Sequence, residues 1–196
     1  LKIHSNKTIA TLSILFITCT TEPQECRIGF TEIDGKCYSE VDLTILEGFI
    51  NNSSTTIPMI WAADTSSSIG PLDLGIQEWN ENGRLTLLWL YDYTINDDYT
   101  MSGEIPENIG NLTELKKINL AVNNITGNIP ESIGKLENLI FFYLYHNKLS
   151  GIITDSICNI YPNLEYFQIY ENQFCPPYPN CIPIEKIGPQ DISQCL

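Results

Sequence analysis

The sequence predicts an α/β fold, a short solenoid whose strands form one parallel sheet along a concave face. The first observation is a set of apolar positions and one asparagine that recur after 24 residues, with Leu115, Ile118, Leu120, Asn123 and Ile125 returning as Leu139, Phe142, Leu144, Asn147 and Leu149. The second is a glycine with the same step, at Gly103, Gly127 and Gly151. The third is a set of cysteines on both sides of the repeats. Self-similarity at a fixed period is the signature of a stacked repeat architecture.

Length and composition limit the function classes that fit this chain. Its 196 residues are 43% hydrophobic, which is enough to bury a sizeable core. The formal net charge is −14, with ten lysines and arginines in total. Nucleic acids and anionic membrane surfaces both require clustered basic residues. This balance argues against both as partners.

The first 25 residues are interpreted as a signal peptide or leader rather than as part of the fold. Lys2 and Lys7 precede a largely apolar, uncharged run, and Glu22 and Pro23 follow it. A basic start, a short apolar run and a polar exit are typical of a secretory signal. The run is too short to span a bilayer. The alternative interpretation is a buried strand.

Cysteine usage supports export to an oxidising compartment. There are seven cysteines, and setting aside Cys19 in the leader leaves six that are predicted to form disulfides: Cys26, Cys37, Cys158, Cys175, Cys181 and Cys195. The last four have three possible connectivities. Zinc is the rival interpretation, but the spacings fit it poorly and no histidine is nearby. No metal or cofactor is predicted, and membrane attachment is predicted only if Cys19 is lipidated.

Residues 26–84 are predicted to cap the N-terminal end of the solenoid. Cys26 and Cys37 close a small loop, and an amphipathic helix is predicted from Ser39 as N-cap to about Asn51. Its apolar face consists of Val41, Leu43, Ile45, Leu46, Phe49 and Ile50. This face covers the first repeat, since a solenoid has to cap its exposed core.

The remainder of the cap gives weaker signals. A faint echo of a calcium-binding loop near Asp64 lacks most of the required carboxylates. The segment LDLGIQEWNENGR is predicted to form a turn of helix with Trp79 buried, followed by a turn at Asn82 and Gly83.

Four repeats are predicted over residues 85–174, followed by a cysteine cap at 175–196. The first repeat begins at Leu85 and carries an acidic, aromatic insertion within YDYTINDDYT. Two regular repeats follow, and a fourth runs from Leu164 to Phe174. The segment CPPYPNC then ends the pattern with prolines and cysteines. Asn123, Asn147 and Asn172 are expected to satisfy backbone groups of neighbouring coils.

The outward-facing strand positions, and the residue after each strand, form the predicted binding surface. Sixteen residues occupy these positions, and seven of them are aromatic. Clustered exposed aromatics favour recognition, and the alternative is that they pack on one another as a ladder. The predicted ligand-binding residues are Trp89, Tyr91, Asp92, Lys117, Asn119, Phe141, Tyr143, Tyr145, His146, Tyr166, Gln168, Tyr170 and Glu171. Asp92 and the insertion are expected to form one wall of the site.

The segment SGEIPENIGNLTELKKINLAVNNITGNIPESIGKLENL resembles the plant-type leucine-rich repeat, LxxLxxLxLxxNxLxGxIPxxIGxL. This repeat occurs in the ectodomains of plant receptor kinases and receptor-like proteins and in polygalacturonase-inhibiting proteins. The resemblance implies a right-handed solenoid with a second, shorter sheet at the Gly-x-Ile-Pro segments and 3-10 turns on the convex face. The small number of repeats and the divergent N-terminal cap favour a short secreted version, of microbial or protist origin.

Recognition of a protein or peptide is the predicted function, and the chain is not predicted to be an enzyme. Apart from His4 in the leader, His146 is the only histidine, and no nucleophile elbow, phosphate loop or metalloprotease motif is present. The alternatives are carbohydrate binding through the aromatics and a structural role in surface assembly. Five Asn-x-Ser/Thr sequons, meaningful only in a glycosylating host, lie at Asn6, Asn51, Asn52, Asn111 and Asn124.

Overall fold

The computed structural model describes residues 25–53, 70–91 and 100–195. Three features of the sequence lie outside these residues: the leader with Cys19, the calcium-loop echo near Asp64, and Asp92 with most of the insertion. Within the described part, the elements follow one another as a capping hairpin and helix, four coils of a solenoid, and a disulfide-bonded end. The predicted fold class is confirmed.

The N-terminal cap begins with an antiparallel hairpin of β1 (Phe30–Ile33) and β2 (Lys36–Ser39). A disulfide between Cys26 and Cys37 closes its base, as predicted. Asp34 and Gly35 form the connecting turn, and both have positive φ. What the sequence indicated as a small loop is therefore a two-stranded sheet.

The predicted helix is present as α1 (Glu40–Asn52), and Ser39 is its N-cap. The Ser39 hydroxyl accepts a hydrogen bond from the Asp42 N–H at 3.3 Å, which satisfies one free donor of the first turn. The side of α1 that faces the first coil is buried, through Leu43, Ile45, Leu46 and Phe49. Val41 was assigned to this face, but 49% of its surface is exposed because it points away from the coil.

The turn of helix predicted within LDLGIQEWNENGR is present only at the start of this segment, and the residues up to Trp79 form a strand instead. A short 3-10 turn at Pro71–Asp73 leads into a strand, β3 (Ile76–Trp79), which pairs antiparallel with the first repeat strand. Exposed and half-buried residues alternate along β3. The backbone pairing of this segment with the open edge of the sheet outweighs the local preference of its residues for a helical turn. Trp79 is half-buried against the edge of the Tyr38 ring, and Gly83 takes the positive φ that an Asn-Gly turn requires.

Four parallel strands line the concave face: β4 (Leu85–Trp89), β6 (Lys117–Asn119), β8 (Phe141–Tyr143) and β10 (Tyr166–Gln168). With β3 they form a five-stranded sheet in the order β10-β8-β6-β4-β3. One residue of each repeat strand points toward the core, namely Leu88, Ile118, Phe142 and Phe167, and the first three of these are at most 1% exposed. The residues on either side of this core-facing residue point outward, because side chains alternate along a strand.

The asparagines of the second, third and fourth repeats are buried and link neighbouring coils. Asn147 donates from Nδ2 to the Leu120 carbonyl of the previous coil at 2.8 Å, and its Oδ1 accepts from the Ile125 N–H at 3.0 Å. Asn123 and Asn172 make the same kinds of contact. The predicted role of these asparagines is confirmed.

A second set of short strands lies beside the main sheet: β5 (Ser102–Glu104), β7 (Asn124–Thr126), β9 (Ser150–Ile152) and β11 (Gln173–Cys175). They pair as β5 with β7 and β9 with β11, and the Ser150 N–H donates to the Gly127 carbonyl between the pairs. The repeated glycines have positive φ as expected. At Gly103 a Cβ would lie 1.9 Å from the Asn52 carbonyl oxygen, so no larger residue fits there.

The convex side is built of 3-10 turns at Ile109–Asn111, Glu131–Lys135 and Asp155–Asn159. Their isoleucines at 109, 133 and 157 are fully buried and fill the outer half of the core. These turns were implied by the resemblance to plant-type repeats and are confirmed.

At the C-terminal end, Cys158 pairs with Cys181 and Cys175 pairs with Cys195. The structure thereby selects one of the three connectivities that the sequence left open. A short helix, α2 (Ile184–Ile187), buries Ile187 against the last coil. Across the described residues, no helix combines the length and apolarity that crossing a membrane requires.

Candidate functional site

The outward-facing residues of the main sheet lie in columns, as the sequence predicted. Leu87, Lys117, Phe141 and Tyr166 are paired across four strands, and Trp89, Asn119, Tyr143 and Gln168 form the next column. The register is fixed because each strand turns one residue, Leu88, Ile118, Phe142 or Phe167, toward the same core. We call the outward-facing aromatic residues of this sheet the concave aromatic surface, made up of Trp89, Tyr91, Phe141, Tyr143, Tyr145, Tyr166 and Tyr170.

Six members of the concave aromatic surface form one connected set of rings. Phe141 is central, with centroid distances of 5.4 Å to Trp89, 4.0 Å to Tyr143 and 5.4 Å to Tyr166. Tyr143 continues the set to Tyr145 at 5.6 Å, and the Tyr145 and Tyr170 rings stack at 5.0 Å and 11°. These separations fall within the range of favourable aromatic pairs.

Small side chains on the second coil let the larger rings meet above them. Trp89 and Phe141 belong to strands that are two positions apart, about 9.6 Å at normal strand spacing, yet their centroids are 5.4 Å apart. They lean over β6, and Asn119 lies in the sheet beneath them. Asn119 is only 2% exposed, and its Oδ1 accepts from the Ala121 N–H at 2.9 Å. The expectation that Asn119 is an accessible contact residue is therefore wrong.

Tyr145 is held by its neighbours. It stacks on Tyr170, and a hydrogen bond joins its side chain to that of Tyr91. The pKa of Tyr145 is raised to about 12, mainly by burial and in addition by the neighbouring Tyr91 and Tyr170 side chains. The neutral phenol is thus favoured in the folded protein. Tyr145 therefore fits the alternative in which the aromatic side chains of the sheet pack on one another as a ladder.

Other members of the surface remain accessible. Tyr166 is 51% exposed at the outer strand, and Lys117 is exposed in the same column. Trp89, Phe141 and Tyr143 are half-buried. Gln168 is half-buried beside them. The surface therefore offers both rings and polar groups to a ligand.

His146 and Glu171 are in direct side-chain contact, which the sequence indicated only as two residues on neighbouring repeats. His146 Nδ1 lies 2.5 Å from Glu171 Oε2, and about half of each side chain is exposed. The two residues follow the ends of neighbouring strands, and both have positive φ, 53° and 52°. The repeat geometry places these two positions side by side, because each immediately precedes a buried asparagine. They form a polar border next to Tyr170.

One further concavity was not predicted. A hollow of about 960 Å³ lies between the capping hairpin and β3, and its lining includes Arg27, Phe30, Tyr38 and Trp79. None of the residues of the concave aromatic surface lines it. Among the described residues, no group of three or more His, Cys, Asp and Glu side chains is arranged to hold a metal ion.

Comparison with known proteins supports the repeat interpretation. Residues 114–136 and 138–160 match the model of the Leucine Rich Repeat family. None of the curated proteins has a significantly similar sequence.

Solved structures with a similar fold include two ectodomains from Arabidopsis thaliana. The BIR2 ectodomain is 19% identical, with 76% of this chain and 92% of that chain covered and a TM-score of 0.54. The ectodomain of the receptor kinase SOBIR1 is 20% identical, with 70% of each chain covered and a TM-score of 0.50.

A plant peptide hormone receptor, RGFR1 in complex with RGF2, is 38% identical over 39% of this chain, with a TM-score of 0.37. The match spans only 12% of the receptor chain. The two matched repeats, the parallel sheet with its asparagine ladder, and the fold shared with BIR2 and SOBIR1 agree with one another. This chain folds as a short leucine-rich-repeat solenoid, similar to that of the BIR2 ectodomain.

Proposed function

We propose that this protein is an extracellular recognition module that binds a protein or peptide through its concave aromatic surface. The observation that carries the proposal is the connected set of rings around Phe141, in which Trp89, Tyr143 and Tyr166 retain accessible surface. Tyr and Trp provide large contact areas at a small cost in side-chain entropy.

The backbone beneath the rings supports this role. Neighbouring strands are joined by backbone hydrogen bonds, such as Leu120 N–H to the Tyr143 carbonyl at 2.9 Å, and by the buried asparagines. A surface that is already ordered loses little freedom on binding, so more of the contact energy appears as affinity.

Polar groups border the rings in the pattern of a binding site. Lys117 lies on one side, and the His146–Glu171 pair lies on the other. A polar rim around an apolar centre is the usual anatomy of a protein interface. Gln168 provides an amide near the rings, and Asp92, from its place in the sequence, is proposed to belong to the same border.

An extracellular location is part of the proposal. Three disulfides link Cys26 to Cys37, Cys158 to Cys181, and Cys175 to Cys195. Disulfides persist in oxidising compartments and are rare in the cytosol. The proposed leader at residues 1–25 supports export.

The test is selection of a phage-displayed random peptide library on the purified protein, followed by affinity measurement of the selected peptides. We expect Tyr166→Ala to weaken binding about 10-fold or more, because Tyr166 is the most accessible ring of the connected set and its removal deletes an aromatic contact. Lys135→Ala, in a convex 3-10 turn, is the matched control and should bind like the wild type.

Two outcomes would contradict the proposal. Equal binding of the selected peptides to Tyr166→Ala and wild type, together with lost binding in Lys135→Ala, would place the site on the convex side. Saturable binding of glycans on an array that depends on Trp89 and Tyr143, with no peptide recovered by the selection, would favour the carbohydrate interpretation.

A further inference from the structure

The four Asn-x-Ser/Thr sequons at Asn51, Asn52, Asn111 and Asn124 lie in different environments in the fold. An N-linked oligosaccharide is bulky and hydrophilic and requires a surface position. The folded protein can carry one only where the asparagine amide is free of contacts that hold coils together. The hydrogen bonds of the four asparagines, together with the exposure of each asparagine and of its sequon serine or threonine, therefore separate the sites.

The side chain of Asn124 takes part in contacts between two coils. It is half-buried in β7, and its Nδ2 donates to the Thr100 hydroxyl at the end of the preceding coil. The sequon threonine, Thr126, donates from Oγ1 to the Gly103 carbonyl at 3.2 Å. A sugar on Nδ2 would have to occupy the space between two coils.

The Asn52 side chain also makes a structural contact. Its Nδ2 donates to the Glu104 carbonyl at 3.0 Å and so links α1 to β5. Asn51 is exposed near the end of α1, but Ser53, its sequon hydroxyl, accepts from the Ser102 N–H at 3.3 Å. The Ser53 and Ser102 hydroxyl oxygens are 3.2 Å apart. The sequon of Asn51 is therefore bound into the contact between α1 and β5.

Asn111 is different. It is the last residue of the convex turn Ile109–Asn111 and is exposed, and its side-chain amide has no hydrogen-bond partner among the described residues. Only its backbone is used, because its carbonyl accepts from Arg84 Nη2 at 3.0 Å. Thr113, the sequon hydroxyl, is exposed and accepts a long bond of 3.3 Å from the same Arg84 nitrogen.

We propose that Asn111 is a site of N-linked glycosylation. In the reaction, Asn111 Nδ2 forms a bond to C1 of an oligosaccharide carried on a lipid diphosphate. The C1–O bond breaks, the lipid diphosphate leaves with the bonding electrons, and the amide loses one proton. This inference rests on the proposed extracellular location, because the donor is supplied in the secretory pathway.

The position of Asn111 has a consequence for recognition. Its turn belongs to the convex side, whereas β6 of the same coil carries Lys117 on the concave side. A glycan at Asn111 would cover the junction between Arg84 and the convex turns and leave the concave aromatic surface open. Glycosylation and ligand binding are therefore compatible.

The test is to secrete the full chain from a eukaryotic cell and to map its sequons by peptide mass spectrometry after enzymatic release of N-glycans, which converts each occupied asparagine to aspartate. We expect conversion at Asn111 and none at Asn124. Asn111→Gln should lose one glycan from the intact mass, and Thr113→Ser should keep it. Asn124→Gln is the control and should leave the mass of the attached carbohydrate unchanged.

An unmodified Asn111 in the secreted wild type would overturn the inference, as would equal occupancy of Asn111 and Asn124. The mapping is done on the wild type, so a poorly folding variant does not affect the result. The peptide selection measures binding, whereas the sequon mapping measures mass, so the two proposals are tested separately. Failure of that selection with Asn111 occupied would count against the proposed function alone.

Discussion

Tyr145 and Tyr166 lie on the same face of the sheet but differ in what covers them. Tyr145 stacks on Tyr170 and is hydrogen-bonded to Tyr91, whereas Tyr166, on the outermost strand, is 51% exposed. The same residue type therefore serves packing at one position and is available to a ligand at the other. Substitutions at the two positions separate these roles.

We expect Tyr145→Ala to lower the free energy of unfolding by about 2 kcal/mol, because it removes a ring packed between neighbouring side chains. Tyr166→Ala should change it by no more than about 0.5 kcal/mol, since surface substitutions have small effects. Urea denaturation measures both. Equal losses at the two positions would show that the exposed ring is also part of a structural ladder.

The raised pKa of Tyr145, about 12, gives a pH dependence. In the unfolded chain the phenol ionises near 10, so between these values the folded state holds more protons than the unfolded state. The stability from this group is complete below pH 10 and falls as the pH rises toward 12.

The measurement is a titration of tyrosinate absorbance in the folded protein. We expect one ionisation near pH 12 that is absent in Tyr145→Phe. Because Phe keeps the ring, this variant should also lose less stability than the wild type between pH 10 and pH 12. An unchanged high-pH titration in Tyr145→Phe would assign the shift to another tyrosine.

At the scale of elements, α1 is joined to the first coil through a buried carboxylate. Asp42 is fully buried, and it accepts two bonds from Arg84 Nε, at 2.9 and 3.0 Å, and one from the Leu85 N–H at 2.8 Å. The Ser39 hydroxyl donates to the same carboxylate. One side chain thus connects the helix cap, the helix and β4.

Removing this carboxylate should be costly. We expect Asp42→Ala to lower the free energy of unfolding by about 3–5 kcal/mol, because Arg84 and the Leu85 N–H are left without their acceptor. Glu40→Ala, in the same first turn but exposed, is the control and should stay within about 0.5 kcal/mol. Thermal or urea unfolding gives both values, and similar values for the two variants would exclude Asp42 as the main connection.

At the scale of the whole molecule, the coils stack in one direction, and each coil contacts chiefly its neighbours. The C-terminal coil depends on the bond between Cys158, in the last convex turn, and Cys181 in the cap. Solenoid stability is a sum of coil and neighbour terms, so damage at one end need not reach the other. A local loss is therefore expected from a change in the cap.

We expect replacement of both Cys158 and Cys181 by serine to cost about 3 kcal/mol, the usual value for a loop of this size. Hydrogen exchange should become faster first in β10 and β11, while β4 and β6 stay protected. Replacing both Cys26 and Cys37 by serine is the matched change at the other end and should not affect β10. Uniform loss of protection in either variant would indicate a single cooperative unit.

The repeat pattern was sufficient to predict the solenoid and the asparagine ladder, because both follow from residues at fixed spacing, whereas the convex turns were implied by the resemblance to plant-type repeats. The capping helix also followed from its N-cap and apolar period, except for Val41, which faces solvent. The strand at Ile76–Trp79 could not be predicted, since its partners are backbone groups of β4 rather than its own neighbours. Local sequence carries no record of such long-range pairing.

For the candidate site, the sequence determined which residues face outward, since strand alternation and the repeat decide it. Only the tertiary structure decided which of them a ligand can reach, because rings from β4 and β8 lean together over Asn119 and bury it. Only the tertiary structure chose the cysteine pairs and brought His146 to Glu171. Spacing along the chain determines the face of the sheet on which a side chain lies. Which side chains touch one another depends on the sizes of residues that lie on different coils.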